Sequence, residues 1–155
     1  HPEHVGRAGT AREEALMSIE ENKAAVRRLA VKGWSDHDLA AFDDFFAHDA
    51  VWHGLPPEWG SGLEQIKHAA QMWFEAIPDF TFEVEDLTAE GDRVAFRWTA
   101  SGTQKGEVFG APPTDKHVEF SGIAIKRFEN GRCVDYREFW DRDGLMDQIG
   151  SAGAS

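Results

Sequence analysis

The final predicted strand of this sequence concentrates the side chains suited to acid and base chemistry. Its stretch 134–141 has the sequence Val-Asp-Tyr-Arg-Glu-Phe-Trp-Asp. Alternate residues of a strand share a face, so Tyr136 and Glu138 lie together, with Trp140 beside them. A carboxylate among aromatic rings in a pocket has its pKa raised by desolvation toward neutral pH, which suits a general acid or base. Glu138 is therefore the candidate proton acceptor, and Tyr136 is the candidate donor to a developing enolate oxygen.

The register of the preceding hairpin decides whether that face points into a pocket. The turn Asn130-Gly131 is typical of a hairpin, and a two-residue loop pairs Glu138 with Ile123. A three-residue loop with a bulge at Gly131 pairs Glu138 with Gly122 instead, and we favour this register. It gathers on one face two small residues and the two candidate catalytic residues, namely Gly122, Ala124, Tyr136 and Glu138. A single Glu on a strand is more often a solvated surface residue, so the catalytic interpretation depends on this face being enclosed.

His53 is another candidate for proton transfer. It precedes Gly-Leu-Pro-Pro, so its imidazole lies at the mouth of a loop, where a proton relay and a structural hydrogen bond are both open. The sequence has no spacing typical of a metal centre and no nucleophile elbow, phosphate-binding loop or dinucleotide-binding glycine motif. It therefore predicts no metal and no other cofactor.

The aromatic content is high for a chain of this size. The sequence has 6 Trp and 11 Phe residues, more than packing alone requires. Trp and Phe side chains are common in the walls of ligand pockets. Five tryptophans are candidates for lining a pocket that accepts a flat or hydrophobic ligand: Trp52, Trp59, Trp73, Trp98 and Trp140.

The charge of the chain limits the classes of partner. There are 16 Lys and Arg against 28 Asp and Glu, giving a formal net charge of −12. Such a charge repels phosphate backbones and anionic lipid, so we expect neither nucleic acid nor a membrane surface as a partner. A hydrophobic small molecule remains open. Cys133 is the only cysteine, which excludes an internal disulfide and is consistent with a cytoplasmic location.

The length of 155 residues suits one domain with a core large enough to contain a pocket. We expect this domain over residues 13–150, after a disordered leader at 1–12 and before a frayed tail at 151–155. No stretch approaches 18 consecutive apolar residues, so no membrane-spanning helix is expected.

Helix signals fill the first half of the chain and strand signals the second. Capping patterns at Ser18, Ser35 and Ser61 predict three helices, the first from about Ile19 and the third ending before Pro78. Apolar and polar residues then alternate, which predicts antiparallel strands. The predicted strands cover about residues 80–85, 93–100, 117–128 and 133–141. Helices followed by a strand meander indicate an α+β fold, with helices packed on one face of a curved sheet.

Several separated segments, in this order, also carry a family resemblance. They are Phe-Phe-Ala-His-Asp at 45–49, Ile-Pro-Asp-Phe at 77–80, residues 86–103, Gly-Glu-Val-Phe-Gly-Ala-Pro-Pro-Thr at 106–114, Phe-Ser-Gly-Ile at 120–123, Arg-Phe-Glu-Asn-Gly at 127–131 and Gly-Leu-Met-Asp-Gln-Ile-Gly at 144–150. With them the chain resembles the SnoaL-like polyketide cyclases, also called ester cyclases, over about residues 19–150.

The resemblance implies a cone-shaped fold shared with ketosteroid isomerases and nuclear transport factor two. In that fold three helices pack on a strongly curved, mixed sheet around one hydrophobic pocket, commonly in a homodimer or homotetramer. Characterised SnoaL-like cyclases close a ring of an aromatic polyketide ester by an intramolecular aldol reaction without cofactor or metal. An acidic residue on the final strand removes the proton next to the ester.

The resemblance also assigns roles to particular residues. It puts the acid at Glu138, where cyclases usually have Asp, and it puts Tyr136 where they have His. Ala124 and Gly122 stand where those cyclases have His and Gln, so two polar pocket groups are missing. Three residues recur near the pocket rim in the broader group and are candidates to replace them: Trp52, His53 and Asp141.

Three functions remain open from the sequence. The first is a cofactor-independent cyclase or isomerase acting on a polyketide-like or terpenoid-like carbonyl compound. The second is an epoxide hydrolase or dehydratase in which Glu138 or Asp141 activates water. The third is a ligand-binding or oligomerisation module without chemistry, because a fold alone assigns no reaction.

Overall fold

The computed structural model describes residues 2–150 of the chain. The first half contains α1 Pro2–Arg28, a π-helical segment Leu29–Ser35, α2 Ala40–Phe45, β1 Phe46–Trp52, a 3₁₀ turn Pro57–Trp59 and α3 Leu63–Ala76. The second half contains β2 Thr81–Glu90, β3 Arg93–Thr103, β4 His117–Glu129, β5 Arg132–Trp140 and α4 Arg142–Ile149. The predicted α+β fold, with helices packed on a mixed sheet, is confirmed. The expected frayed tail at 151–155 lies outside the described residues.

Helix α1 begins earlier than the sequence predicted. The capping pattern at Ser18 placed the start near Ile19, but Ser18 lies inside the helix. The stretch 11–16, Ala-Arg-Glu-Glu-Ala-Leu, consists of residues with high helix propensity, which extends the helix toward its N-terminus. The predicted start is therefore wrong, and the described part of the expected leader, residues 2–12, belongs to the same helix.

Helix α3 lies where its apolar stripe predicted, but Ser61 does not cap it. The N-cap residue is Gly62, and no side chain makes a capping hydrogen bond there. The helix buries one face, formed by Leu63, Ile66, Ala69, Ala70, Phe74 and Ala76. Ser35 does not cap the second helix as predicted, because the N-cap residue of α2 is Leu39 and Ser35 is the last residue of the π-helical segment. Its hydroxyl accepts a hydrogen bond from the Phe82 amide at 2.9 Å and so joins the helices to β2.

The sheet has the order β1-β5-β4-β3-β2. Neighbouring strands are antiparallel except β1 and β5, which run parallel and pair Trp52 with Tyr136. Strand β1 escaped the sequence analysis because Phe46 continues the apolar pattern of α2. A bulge between Val84 and Asp86 interrupts the β2 and β3 pairing, and bulges of this kind bend a strand.

The β4 and β5 hairpin has neither of the two registers considered from the sequence. Glu138 lies opposite Ala124, rather than Gly122 or Ile123. The turn has two residues, and the extra residue is Val134, which sits in β5 as a bulge. The predicted register was wrong by two positions. An even shift keeps each side chain on the same face, so the predicted face of Tyr136 and Glu138 is the observed one.

The inner face of the sheet packs against the helices to form the core. Its largest fully buried side chains come from both layers and include Phe42, Phe46, Ile66, Ile77 and Tyr136. Within residues 2–150 no helix has both the length and the apolar character needed to cross a membrane.

Candidate active site

A cavity of about 890 Å³ lies between the inner face of the sheet and the helices. Its volume falls within the range of small-molecule sites. All six tryptophans of the chain line it: Trp34, Trp52, Trp59, Trp73, Trp98 and Trp140. The sequence had singled out five of them and missed Trp34, whose position on the apolar face of the first helical region suggested core packing alone.

Glu138 and Tyr136 both line the cavity and are hydrogen-bonded to each other. The Tyr136 hydroxyl donates to Oε2 of Glu138 at 2.6 Å. Burial raises the pKa of Glu138 to about 7, against the opposing effects of the Tyr136 hydrogen bond and the positive charge of Lys126. Glu138 therefore titrates near neutral pH, as a proton acceptor in a general acid–base reaction must.

Tyr136 has a different immediate partner from the one the sequence predicted. It was expected to donate to an enolate oxygen, but in this structure its hydroxyl donates to the carboxylate of Glu138. Burial and the nearby charge of Glu138 raise the pKa of Tyr136 well above its ordinary value. The phenol consequently stays neutral and can donate to the ionised carboxylate of Glu138.

Lys126 is a buried charge that the sequence analysis missed. It is only 2% exposed and lies opposite Tyr136 across β4 and β5. Its Nζ is 4.3 Å from the centre of the Tyr136 ring and 4.7 Å from that of Phe45, which are cation–π distances. Burial lowers the pKa of Lys126 to about 8, although the negative charge of Glu138 acts in the opposite direction. Lys126 could have been found from the sequence, because strand alternation places it on the same inner face as Ala124.

Gly122 and Ala124 do not provide the open space predicted beside the carboxylate. Neither is among the described residues that line the cavity, and Ala124 is fully buried. A Cβ atom on Gly122 would lie 2.7 Å from Cζ2 of Trp98 and 2.7 Å from Cβ of Trp140. The space freed by the glycine is therefore filled by the Trp98 ring, which reaches the level of Glu138 from β3.

His53 and Asp141 lie outside the cavity lining of the described chain, contrary to the expected rim positions. Nε2 of His53 is 2.7 Å from Oδ1 of Asp135, on the opposite face of β5 from Glu138. Burial raises the pKa of Asp135, but the hydrogen bond and charge of His53 and the charge of Arg137 outweigh it and leave this pKa below its ordinary value. Asp141 accepts a hydrogen bond from the Gly144 amide and caps α4. Both residues have structural partners.

The loop between β3 and β4 covers part of the cavity. Gln104 is fully buried and holds this loop, because its side-chain amide donates to the carbonyls of Gly106 and Pro112 at 3.1 Å. Phe109 lines the cavity from the loop with a φ of 48°, an uncommon value for a bulky residue. The Arg142 guanidinium lies 4.3 Å from the centre of the Phe109 ring and so supports it from α4.

The rim of the cavity carries an excess of negative charge. Glu58, Glu75 and Glu107 line it together with Arg142. Three carboxylates against one guanidinium disfavour an anionic ligand at the entrance. A neutral or cationic ligand fits this rim better.

Comparison with known proteins assigns the chain to a family. The sequence model of the SnoaL-like polyketide cyclases matches residues 24–149, which include every cavity residue described above. The chain belongs to the SnoaL-like polyketide cyclase family. Members of this family share its α+β architecture, so the resemblance found in the sequence is confirmed.

Two solved structures are similar to this SnoaL-like chain over nearly their whole length. A proposed SnoaL-like polyketide cyclase from Jannaschia sp. CCS1 is 26% identical, has a TM-score of 0.76 and is matched over 86% of this chain and 93% of its own. AclR, a proposed hydroxylase from Streptomyces galilaeus, is 26% identical, has a TM-score of 0.74 and is matched over 86% of this chain and 87% of its own.

A curated relative is matched over a smaller part. The pathogen-related protein of Hordeum vulgare is 29% identical over 96 residues, which are 58% of this chain and 41% of that protein. The chain therefore spans less than half the length of this relative. The family match and the two structures together support membership of the SnoaL-like family and its fold.

Proposed function

We propose that this protein is a cofactor-independent cyclase or isomerase acting on a hydrophobic polyketide-like or terpenoid-like carbonyl compound. The observation that carries the proposal is the carboxylate of Glu138, which lies in an aromatic cavity with a pKa near 7. Such a group accepts a proton from carbon at neutral pH and returns it later in the same reaction.

The proposed reaction begins with proton transfer from carbon to Glu138. Tyr136 occupies Oε2, which leaves Oε1 as the accepting atom. The proton next to an ester or ketone carbonyl moves to Oε1, and the electron pair of the C–H bond forms an enolate. The enolate carbon then attacks a second carbonyl of the same molecule and forms a carbon–carbon bond. The new alkoxide takes the proton back from Glu138, so the product is an isomer of the substrate.

The cavity supports a neutral, flat substrate. Six tryptophans provide broad aromatic surfaces, and about 890 Å³ is enough for a fused-ring or folded polyketide of drug-like size. The acidic rim disfavours a free carboxylic acid, so we propose an ester or ketone as the form that enters.

Product analysis tests this function. The wild-type protein is incubated with a panel of aromatic polyketide methyl esters, enones and epoxides, and products are identified by chromatography and mass spectrometry. We expect an isomeric product that disappears in Glu138→Gln. The matched control is Asp135→Asn, which removes a carboxylate on the outer face of the same strand and should keep turnover. A product whose formation is unchanged in Glu138→Gln would contradict the proposal.

The second candidate function is addition or loss of water in the same cavity. It is favoured by the same Glu138 carboxylate, which would activate water as readily as it accepts a proton from carbon, and by the likeness to AclR, a proposed hydroxylase. In the same assay, an epoxide product that gains one water would support this second function. Binding without any turnover would instead support a ligand-binding module.

A further inference from the structure

Lys126 brings a positive charge into the core beside the candidate reaction centre. Its side chain is only 2% exposed, and it is not among the described residues that line the cavity. Removing an ammonium group from water is costly unless other groups compensate. The groups around Nζ of Lys126 must therefore stabilise this charge.

Four aromatic rings form a cage around the ammonium group. Nζ lies 4.3 Å from the centre of the Tyr136 ring, 4.7 Å from that of Phe45, 5.2 Å from that of Phe46 and 5.4 Å from that of Phe96. The faces of aromatic rings attract a cation at these distances. The cage therefore holds the charge in one place, opposite Tyr136 in the pairing of β4 with β5.

Tyr136 separates this charge from the cavity. Trp52, which lines the cavity, stacks on the Tyr136 ring with ring centres 4.9 Å apart and planes 12° apart. Trp52 covers one face of the Tyr136 ring, so Nζ of Lys126 approaches the other face from the core. The hydroxyl at the edge of the same ring donates to Oε2 of Glu138 at 2.6 Å. The ammonium group thus lies one aromatic ring away from the cavity and does not touch a ligand there.

Glu138 is the negative charge that Lys126 faces. Burial has the largest effect on both pKa values, raising that of Glu138 and lowering that of Lys126, and the charge of each residue partly offsets this effect on the other. Cys133 also lies near Lys126, but burial raises the pKa of its thiol to about 11, so the thiol is neutral at pH 7. An ionised Glu138 and a protonated Lys126 together make the buried centre electrically neutral.

Proton transfer to Glu138 moves the negative charge of this centre without removing it. The C–H proton of the substrate goes to Oε1 of Glu138, the electron pair of that bond forms an enolate, and Lys126 stays protonated. The carboxyl group is then neutral and the enolate carries the negative charge. Gly122 and Ala124 offer no polar side chain to this anion, which needs stabilisation in a site of low dielectric.

We propose that Lys126 is the counter-charge of the reaction centre, balancing Glu138 before proton transfer and the enolate afterwards. This inference rests on the proposed function. Lys126 acts across the Tyr136 ring and touches no substrate, so it is a positioning residue. The inference also narrows the substrate class. A fixed positive charge favours a carbonyl compound that becomes an anion and disfavours a terpenoid that reacts through a carbocation.

A binding experiment tests this role without turnover. The host protein is Glu138→Gln, in which a neutral amide stands for Glu138 after it has accepted the proton. The probes are 2-naphthoate, a flat anion, and 2-naphthamide, a neutral compound of the same size. Their dissociation constants are measured by equilibrium dialysis at pH 6, where Lys126 and the naphthoate are both charged.

Lys126→Met in this host removes the positive charge and keeps a long apolar side chain in the aromatic cage. We expect it to weaken 2-naphthoate binding by about tenfold or more, because the anion loses a nearby opposite charge in a medium of low dielectric. Binding of 2-naphthamide should stay the same. The matched control is Lys67→Met, which removes a lysine that pairs with Asp43 at the surface and should leave both affinities unchanged.

A second neutral replacement, Lys126→Gln, provides the same comparison if the methionine variant does not fold, which near-UV circular dichroism detects. We expect both variants to fold. The host already lacks the charge of Glu138, so removing the ammonium group as well takes an uncompensated charge out of the core.

Either of two results would overturn the inference. One is equal 2-naphthoate affinity with and without the charge of Lys126. The other is an equal loss of affinity for both probes, which would show a packing role only. Neither readout involves turnover, so a failure of this inference is distinguishable from a failure of the proposed cyclase reaction in the ester panel.

Discussion

Burial of Glu138 carries a cost in stability that depends on pH. The folded-state pKa of about 7 lies above the ordinary value of about 4.3, so the folded protein holds the proton more tightly than the unfolded chain does. Stability is favoured at low pH and falls as pH rises from about 4 to 7. Glu138→Gln removes the charge, and we expect it to raise the free energy of unfolding by about 3–4 kcal/mol at pH 8, with little effect at pH 4.

Urea denaturation at the two pH values checks this expectation. Asp135→Asn is the control on the same strand, and it should behave in the opposite way. The pKa of Asp135 lies below its ordinary value, so its charge stabilises the fold above that pKa. An equal effect of Glu138→Gln at pH 4 and pH 8 would argue against a buried carboxylate.

The charge of Lys126 lowers the pH at which Glu138 becomes a base, against the larger effect of burial. Its positive charge lowers the pKa of Glu138, so Lys126→Met removes a favourable interaction of the carboxylate. We expect the rising limb of the pH profile of kcat/KM to move to higher pH by about one unit, because less of Glu138 is ionised at neutral pH. Lys67→Met is the control, since Lys67 pairs with Asp43 at the surface. A profile that does not move would remove Lys126 from this role.

The sequence located the centre of this site but not its surroundings. Strand alternation and the family resemblance were enough to select Glu138 and Tyr136, and both line the cavity. Lys126 was missed because charged residues are normally assigned to the outer face, whatever the alternation indicates. His53 was selected for its residue type, and only the three-dimensional pairing with Asp135 shows that it faces away from the cavity.

At the scale of elements, the close contact of three strands at Gly122 shapes the cavity wall. Any side chain there meets Trp98, Trp140 and the Phe139 carbonyl oxygen at 2.7–2.8 Å. We therefore expect Gly122→Ala to displace the Trp98 ring and to lower the free energy of unfolding by about 1–3 kcal/mol, as overpacking does. Tryptophan fluorescence should shift in the folded state. Ser121→Ala, one residue earlier in β4, is the control and should change neither quantity.

An unchanged fluorescence spectrum and stability in Gly122→Ala would contradict this packing. A loss of stability in Gly122→Ala would show that the Trp98 ring needs a glycine at position 122 to keep its observed position.

The long helices and strands were predictable, whereas irregular features were not. Periodicity gave α3 and the strands β2 to β5, since these elements have clear apolar stripes or alternation. The strand β1 pairs in parallel with β5, a long-range contact without a local signal. The bulge at Val134 changed the register by moving the extra residue from the turn into the strand. Because the register shifted by an even number of residues, Tyr136 and Glu138 still lie on the predicted face of β5.

At the scale of the molecule, the outer face of the sheet has an exposed apolar patch. Phe139 is 83% exposed and Ile123 is 56% exposed, and the two residues are paired across β4 and β5. The ion pair between Arg137 and Asp135 borders this patch and offers both signs of charge. We propose that a second copy of the chain covers the patch in a two-fold dimer, in which both signs are matched by symmetry.

Sedimentation at micromolar concentration tests the dimer. The wild-type protein should sediment as a dimer or larger, and Phe139→Ser should shift it toward the monomer while the fold is retained. Met72→Ser is the control, because Met72 is 42% exposed but belongs to the cavity side of the molecule. A wild-type monomer would contradict the proposed dimer.

The length and charge of the chain predicted a single domain and limited its classes of partner. The apolar patch could not be predicted in this way, because Ile123 and Phe139 become neighbours only through the pairing of β4 with β5.

The central claim is that Glu138 is a proton acceptor with a pKa near neutrality, and NMR titration of its side-chain carboxyl carbon tests it most directly. The signal is assigned by its absence in Glu138→Gln. We expect a titration midpoint for Glu138 near pH 7, shifted upward by burial in the tryptophan-lined cavity. A midpoint near 4.3, the ordinary pKa of a solvated glutamate, would contradict the account.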